Sequence, residues 1–335
     1  MSQQAVISFK EFRQRFQTEE ACKTFLFEQR WPEGFVCPKC GEHGCYRLRG
    51  RREYVCKQCH RQSSVTAGTV LHHPHLPLTV WFWEIYLVAR DKRGISATQL
   101  SRELEIAYSS AWYLLHRLRN AMGERDKDYV LSGIIELDDA YFGAPSSNGK
   151  RGRGTDKTSA LAAVSLTGEG HPLFLKIQVS KLDAESVRAV AQQTVHSGSE
   201  IRSDALGAFR AALQGEYVHH YQVFDKDSGA LHWIHTLISN IKSFLLGTYH
   251  GIGKKHLQRY FDEFDFRFNR RFWPKQLFPR LVRAVAVSNI LGYGDLRTCI
   301  HNSGKMWYNR GMEEKQFTAR ILSATRRFPR SWYAG

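Results

Sequence analysis

Two stretches of the chain each end an apolar, strand-forming run on aspartate. In GIIELDDAYFGA, residues 133–144, Asp138 and Asp139 stand side by side, and EIRSDALGAF, residues 200–209, reaches Asp204. Carboxylates at the ends of neighbouring strands can face one point and hold Mg²⁺, which prefers oxygen ligands. Two such ions activate an attacking oxygen and stabilise the leaving one in phosphoryl transfer. A strand that runs out into an acidic turn would give the same pattern, so these residues alone do not decide between the two interpretations.

Four cysteines have the spacing of a metal site. Cys37 and Cys40 form one C-x-x-C pair, and Cys56 and Cys59 form a second. Four thiolates can bind Zn²⁺ tetrahedrally, and a site with all four positions filled is structural. A redox C-x-x-C would need only one pair. We therefore predict a structural zinc ribbon that depends on its metal to fold.

The composition points to a polyanionic partner. The 335 residues include 48 Lys+Arg against 32 Asp+Glu, a net charge of +16. Such an excess favours nucleic acid as the partner. No apolar run approaches the ~20 residues that cross a bilayer, and the N-terminal stretch lacks the apolar centre of a signal peptide. We therefore expect a cytoplasmic protein.

The elements that must position these residues fall into five segments. The pattern predicts a helical segment over 1–30, a zinc ribbon over 31–72, a helical DNA-binding segment over 78–124, a mixed α/β domain over 130–295 and a tail over 296–335. Within the α/β domain, strands are predicted at 133–142, 159–166, 172–179 and 199–204, with a helix beginning near Asp183. Strands followed by helices are typical of such a domain.

Residues 95–122 predict a short helix, a turn and a longer helix. In a helix-turn-helix the first residues of the second helix reach base edges, and we expect the exposed side of this helix to carry His116, Arg117 and Arg119. A plain helical bundle would give the same pattern.

A third metal ligand is expected from a helix that follows Asp204. On a helical wheel Asn240 flanks the apolar stripe of SNIKSFLLG, and its amide oxygen is a suitable hard ligand. Lys242 falls on roughly the opposite side, which suits contact with DNA better. A surface amide remains the alternative for Asn240.

The order of these motifs, with GKRGRGTDKTSALAAV and GTYHGIGKKHLQRYFDEFDFRFNRR added, resembles bacterial insertion-sequence transposases of the ISXO-like group. These carry an N-terminal zinc ribbon and a DDE-type, RNase H-like catalytic domain, and the resemblance spans residues 15–295. It implies that Asp138 and Asp204 are catalytic, with Mg²⁺ or Mn²⁺ as cofactor. The third position, Glu in many members, falls here on Asn240, with Glu263 as the alternative carboxylate. The implied reaction is hydrolysis at the ends of a mobile element, followed by transesterification into target DNA.

The basic residues predict how DNA is held. Candidates for phosphate contact are Arg49, Arg51, Arg117, Arg151, Arg153, Lys242, Lys254 and Lys255. We expect Phe264, Phe266 and Phe268 to be core residues. The expected partners are double-stranded DNA, as terminal inverted repeats and as target, and a second copy of the chain in a homodimer or larger assembly. The expected location is the bacterial cytoplasm, at the nucleoid.

Two other functions fit the same sequence. A nuclease of this fold would cut DNA without joining it. A non-catalytic DNA-binding regulator descended from a transposase would retain the ribbon and the helix-turn-helix.

Overall fold

The computed structural model describes residues 7–48, 53–72, 75–143, 157–223, 230–249 and 252–298. It begins with two helices, α1 (Phe9–Arg15) and α2 (Glu19–Arg30). The predicted N-terminal helical segment thus consists of two helices. The chain turns between them, and Thr18 starts α2 by accepting a hydrogen bond from Ala21 N at 3.2 Å through its side-chain oxygen.

A small antiparallel sheet follows. It consists of β1 (Cys45–Arg47), β2 (Tyr54–Cys56) and β3 (Gln62–Ser63), with β2 in the middle. Such short strands bury little apolar surface of their own. The cysteine pairs therefore have to hold this sheet together.

Three helices occupy the segment predicted to be helical. They are α3 (Leu78–Arg90), α4 (Ala97–Leu104) and α5 (Tyr108–Asp126). Ser96 caps α4 by accepting from Gln99 N at 3.2 Å, and Glu105 ends it in the left-handed conformation with φ 52°. The short turn after Glu105 brings α5 back against α4, which is a helix-turn-helix arrangement.

The central sheet contains the four predicted strands and one more. These strands are β4 (Ile134–Phe142), β5 (Thr158–Leu166), β6 (Pro172–Val179), β7 (Glu200–Asp204) and β8 (Val218–Gln222), in the order β6-β5-β4-β7-β8. The first three run antiparallel, and β7 and β8 run parallel to β4. The strand β8 was not predicted, because its side chains are mostly exposed at the edge of the sheet and form no buried apolar pattern.

Helices cover both faces of this sheet. One face packs against α6 (Ala184–Thr194) and α7 (Gly207–Leu213), and the other against α8 (His232–Thr248) and α9 (Leu257–Phe268). The helix predicted to begin near Asp183 is α6, and the Asp183 side chain caps it by accepting from Ser186 N. This mixed sheet with flanking helices is RNase H-like. The chain continues into α10 (Leu277–Val287) and α11 (Tyr293–Thr298).

Side chains of α9 and of Asn269, the residue that directly follows it, pair with the open edge of β6. The Asn269 amide accepts from Leu175 N at 2.7 Å and donates to Leu175 O at 2.9 Å. Asp265 accepts from Ile177 N at 2.8 Å, and Gln258 accepts from Val179 N at 2.8 Å. An edge strand otherwise exposes unpaired N–H and C=O groups. The polar residues of α9 thus complete the sheet, while Phe266 is fully buried and Phe264 and Phe268 pack against the core as predicted.

One hydrophobic cluster joins the ribbon to the helices. It includes Phe12 of α1, Phe35 and Cys56 of the ribbon, Trp81 of α3 and Phe278 of α10. Residues 1–299 accordingly form a single compact unit, whereas residues 300–335 lie outside the described ranges. Among the described residues, no helix is both long enough and apolar enough to cross a membrane.

Candidate active site

The strand register brings two aspartates together. Leu137 of β4 pairs with Ser203 of β7 in the parallel ladder. The next residues are Asp138 on β4 and Asp204 on β7, so the two aspartates lie side by side. Carboxylate oxygens of Asp138, Asp139 and Asp204 all lie within 4.8 Å of one another. The sequence prediction that Asp138 and Asp204 approach each other is therefore met.

The pleat of β4 turns the two adjacent aspartates towards opposite faces of the strand, although their carboxylate oxygens still lie within 4.8 Å of each other. Alternate residues of a strand point to opposite faces. Leu137 belongs to the core under α6 and α7, and Ala140 belongs to the core under α8 and α9. Asp138 therefore lies on the α8 side with Ala140, and Asp139 lies on the other face. Ile201 packs under α6 and α7, and the same alternation turns Asp204 towards the α8 side with Asp138.

A histidine of α8 reaches this pair. His235 Nε2 lies 3.1 Å from Asp138 Oδ2. Burial lowers the pKa of His235, which favours a neutral ring whose Nε2–H donates to the carboxylate. The backbone supports both aspartates, because Asp139 N donates to Asp138 Oδ1 at 2.8 Å and Leu206 N donates to Asp204 Oδ1 at 3.1 Å.

These residues suit a divalent cation. Asp138 and Asp204 offer hard oxygen atoms from rigid strands, which is the ligand chemistry that Mg²⁺ and Mn²⁺ select. A charged carboxylate pair this close is unfavourable without a cation, because like charges repel at short range. The donor set therefore fits the metal that the sequence predicted.

The four cysteines form a second metal centre. Their Sγ atoms lie within 4.8 Å of one another, with Cys37–Cys59 at 3.5 Å and Cys40–Cys56 at 3.6 Å. A tetrahedron with Zn–S bonds of about 2.3 Å has sulfurs roughly 3.8 Å apart, so the geometry fits structural zinc.

Each cysteine pair closes a similar turn. Gly41 N donates to Cys37 O at 2.9 Å and His60 N donates to Cys56 O at 3.1 Å. Both Gly41 and His60 have positive φ, at 77° and 54°. His60 therefore serves as the turn residue of the second pair, and the complete set of four thiolates does not need it as a ligand.

Two protein-family models match two separate parts of the chain. A transposase zinc-ribbon domain of the IS1595 type matches residues 17–62, and an ISXO2-like transposase domain matches residues 130–269. The chain belongs to this transposase family. The two matches contain all four cysteines and both strand-end aspartates, so the resemblance drawn from the sequence is confirmed.

Individual relatives are more distant. The transposase is 30% identical over 160 residues to an uncharacterized protein in the transposable element ISH50 of Halobacterium salinarum. That alignment covers 46% of this chain and 51% of the other, so the chain spans about half the length of this curated relative.

Two solved structures of Mos1 are also similar. They are a strand transfer complex, with 12% identity and a TM-score of 0.27, and a mariner paired end complex with Mn, with 13% identity and a TM-score of 0.24. The matches cover 63% and 61% of this chain and 78% of each Mos1 chain. Sequence identities and TM-scores this low do not bear on the function of this chain.

Glu263 is not available as the alternative third ligand. Its side chain is only 1% exposed and pairs with Arg119 at 2.8 Å and Arg267 at 2.8 Å. Tyr249 Oη also donates to it at 3.2 Å. Burial favours the neutral acid, but the two arginines outweigh it and lower the pKa of Glu263. The expectation that Glu263 could bind the metal is wrong, because its charge is already balanced within the core.

Asn240 is an exposed residue of α8. It follows His235 by five positions, which is about 140° around a helix. Lys242, in contrast, follows His235 by almost two full turns and shares its side of the helix. The α8 side chain in contact with Asp138 is thus His235, and the assignment of Asn240 as third ligand stays a prediction.

One feature of the sequence could have identified His235. It stands directly beside Ile234, at the border of the buried stripe of α8 and near its start. Asn240 occupies the opposite border of the same stripe. Only the rotation of α8 on the sheet distinguishes these borders.

The predicted exposed side of α5 is wrong. His116, Arg117 and Arg119 are 0%, 5% and 2% exposed, because α5 packs against α9 and α10 as well as α4. Arg117 lies over the rings of Trp81 and Tyr113 and donates to His72 O at 3.3 Å. Because Arg117 is buried, its side chain is not accessible for the predicted contact with DNA. The exposed part of α5 is its first turn, including Tyr108 at 57%.

The other basic candidates divide into two groups. Lys242, Lys254 and Lys255 are exposed, as contact with phosphate requires. Arg49, Arg51, Arg151 and Arg153 lie outside the described residues.

Proposed function

We propose that this transposase cuts DNA at the ends of an insertion sequence and joins those ends to target DNA. The observation that carries the proposal is the placement of Asp138 and Asp204. They directly follow the paired residues Leu137 and Ser203 of two neighbouring parallel strands, and their carboxylate oxygens lie within 4.8 Å of each other. The family match supports the same reaction.

Asp138 and Asp204 would hold Mg²⁺ or Mn²⁺. When bound, the ion supplies Lewis-acid stabilisation to the phosphoryl oxygens. His235 holds the Asp138 carboxylate through its Nε2 contact at 3.1 Å. Lys242, on the same side of α8 and exposed, is in position to neutralise a backbone phosphate beside this site.

The reaction has two displacements at phosphorus. In the first, a water oxygen bonds to phosphorus at the element's end while the bond to the 3′-oxygen breaks, and that oxygen takes a proton. In the second, the freed 3′-hydroxyl loses its proton and bonds to a phosphorus of the target, while the bond from that phosphorus to the neighbouring target 3′-oxygen breaks and this oxygen takes a proton. No covalent bond to the protein forms.

DNA recognition would use the exposed first turn of α5 and the zinc ribbon. The first turn of a second helix can reach base edges, and Tyr108 and Ser109 are exposed there. Lys254 and Lys255 would contact phosphates and make binding weaker at high salt. Joining two ends in register implies a homodimer or larger assembly on DNA.

The test is cleavage and joining of duplexes that carry the element's ends, with Mg²⁺ or Mn²⁺. Wild type is expected to give both products, and Asp138→Asn and Asp204→Asn are expected to lose both while still binding DNA. Asp128→Asn, an exposed aspartate after α5, is the matched control and should behave as wild type. Cleavage without joining would indicate a nuclease, and tight binding without cleavage would indicate a regulator.

A further inference from the structure

A second carboxylate on β4 contacts the helix that carries His235. Glu136 lies two residues before Asp138, on the same face of the strand, and is 6% exposed. Its Oε2 accepts a hydrogen bond from Ile234 N at 2.8 Å, joining positions 98 apart in the sequence. A buried carboxylate of the sheet is thus bound to the first turn of α8.

The residue at the N-cap position of α8 does not cap the helix with its side chain. Leu231 occupies the N-cap position in the left-handed conformation with φ 57° and makes no side-chain cap bond. The first N–H groups of a helix lack partners within the helix, and a carboxylate there satisfies one of them and interacts favourably with the helix dipole. Glu136 supplies this cap from a different element.

The cap and the active site are joined through adjacent residues of α8. Glu136 binds the backbone of Ile234, and Asp138 contacts the side chain of the next residue, His235. Glu136 and Asp138 project from one strand, so these two contacts add polar anchors at the first turn of α8 to the apolar packing that holds the helix on the sheet.

We propose that Glu136 is a positioning residue of the active site, which holds the first turn of α8 so that His235 stays on Asp138. Its catalytic consequence rests on the proposed function. Among the described residues, the carboxylates within 4.8 Å of one another at this site are the three aspartates, and Glu136 is not one of them. Glu136 therefore acts through α8 and not as a metal ligand.

Hydrogen exchange tests the contact without any need for activity. In the zinc-loaded chain, Glu136→Ala should speed exchange at the amides of 232–236 about tenfold or more, since one hydrogen bond and one charge–dipole interaction are lost. Glu136→Gln keeps an oxygen acceptor and should fall between the two. The control is Glu200→Ala, on the same face of neighbouring β7 and paired with Arg202 at 2.8 Å. Unchanged exchange at 232–236 in Glu136→Ala would overturn the proposal.

Metal binding tests the consequence. Binding of Mn²⁺ followed by electron paramagnetic resonance without DNA should weaken about 10- to 100-fold in Glu136→Ala, as for loss of other residues that orient metal ligands. Glu136→Gln should recover most of this loss, and Glu200→Ala should match wild type. If Glu136 served stability alone, the melting temperature would fall while Mn²⁺ affinity of the folded chain stayed at the wild-type value, and the proposal would be wrong.

The two proposals fail in different ways. If wild type binds Mn²⁺ but neither cuts nor joins DNA, the proposed function fails while both Glu136 measurements still stand. If wild type cuts DNA and Glu136→Ala cuts it with unchanged Mn²⁺ dependence, the positioning role fails alone.

Discussion

Arg119 of α5 and Glu263 of α9 form a buried ion pair, with 2.8 Å between Nε and Oε2. Arg267 also donates to Glu263 at 2.8 Å and to Asp91 O at 2.9 Å. This network connects the helix-turn-helix segment to the helix that completes the catalytic sheet. A buried charge whose partner is removed is strongly unfavourable, so the pair ties the two segments together.

Glu263→Gln should destabilise the fold and spare the metal site. The two arginines would lose a full negative charge inside the core, and we expect a loss of about 3–5 kcal/mol in the free energy of unfolding. Urea unfolding measures it, with Glu200→Gln, which breaks a part-exposed pair, expected to cost less than about 1 kcal/mol. A Glu263→Gln chain of normal stability that no longer binds Mn²⁺ would restore Glu263 as a ligand.

His235→Ala and Asn240→Ala decide which α8 side chain serves the site. We expect Mn²⁺-dependent cleavage to fall about 10- to 100-fold in His235→Ala, because Asp138 loses the group that orients it. If Asn240 is not a ligand, Asn240→Ala should stay close to wild type. The reverse result would establish the ligand predicted from the family position.

Cys56→Ser should release zinc and unfold the ribbon. Cys56 is fully buried and belongs to the cluster of four thiols, and so small a sheet lacks a core that could fold without metal. Zinc content and far-UV circular dichroism measure the change. Cys45→Ser is the matched control, because Cys45 pairs with Cys56 across β1 and β2 but lies outside the four-thiol cluster, and it should keep its zinc.

Asp262 should make stability fall as pH rises. Burial raises the pKa of Asp262 to about 7, above the value of about 3.9 for an unfolded aspartate. Between these values the folded chain binds one proton more than the unfolded chain, so the free energy of unfolding decreases by up to about 1.4 kcal/mol per pH unit.

Asp262→Asn should remove that slope and leave the variant more stable than wild type above pH 7. Its amide oxygen can still accept the 2.9 Å hydrogen bond from Gln258. The measurement is the difference in unfolding free energy between variant and wild type from pH 5 to 8, with Asp128→Asn as the exposed control. Parallel curves for variant and wild type would contradict a protonated Asp262.

Asn269→Ala should loosen the edge of β6. Both hydrogen bonds to Leu175 disappear and leave an N–H and a C=O without partners, which costs about 1–3 kcal/mol. Native-state hydrogen exchange at Leu175 reports the change directly. Gln193→Ala removes an exposed amide of α6 and should leave exchange at Leu175 unchanged.

Features set by local spacing were predictable from the sequence. The four cysteines fold over two short turns, so their pairing on zinc follows from the C-x-x-C spacing itself. Asp138 and Asp204 each end an apolar run, and strands with that pattern carry them to neighbouring positions in one sheet. The three phenylalanines of α9 were correctly assigned to the core, with Phe264 and Phe268 packed against one cluster and Phe266 buried in the other.

The tertiary structure decided which of several equivalent residues serve the site. Asn240 and His235 occupy opposite borders of one apolar stripe, and the rotation of α8 is fixed by its packing and by Glu136, 98 positions away from Ile234. Likewise, the sequence predicted Arg119 to be exposed and Glu263 to be an alternative metal ligand. In the structure they form a buried ion pair across 144 positions of the chain. Periodicity specifies which side of a helix is buried, but only the neighbouring elements specify what each border contacts. The sequence by itself therefore determined the family, the zinc cysteines and the two aspartates, whereas the partner of Asp138 and the burial of α5 depended on long-range packing.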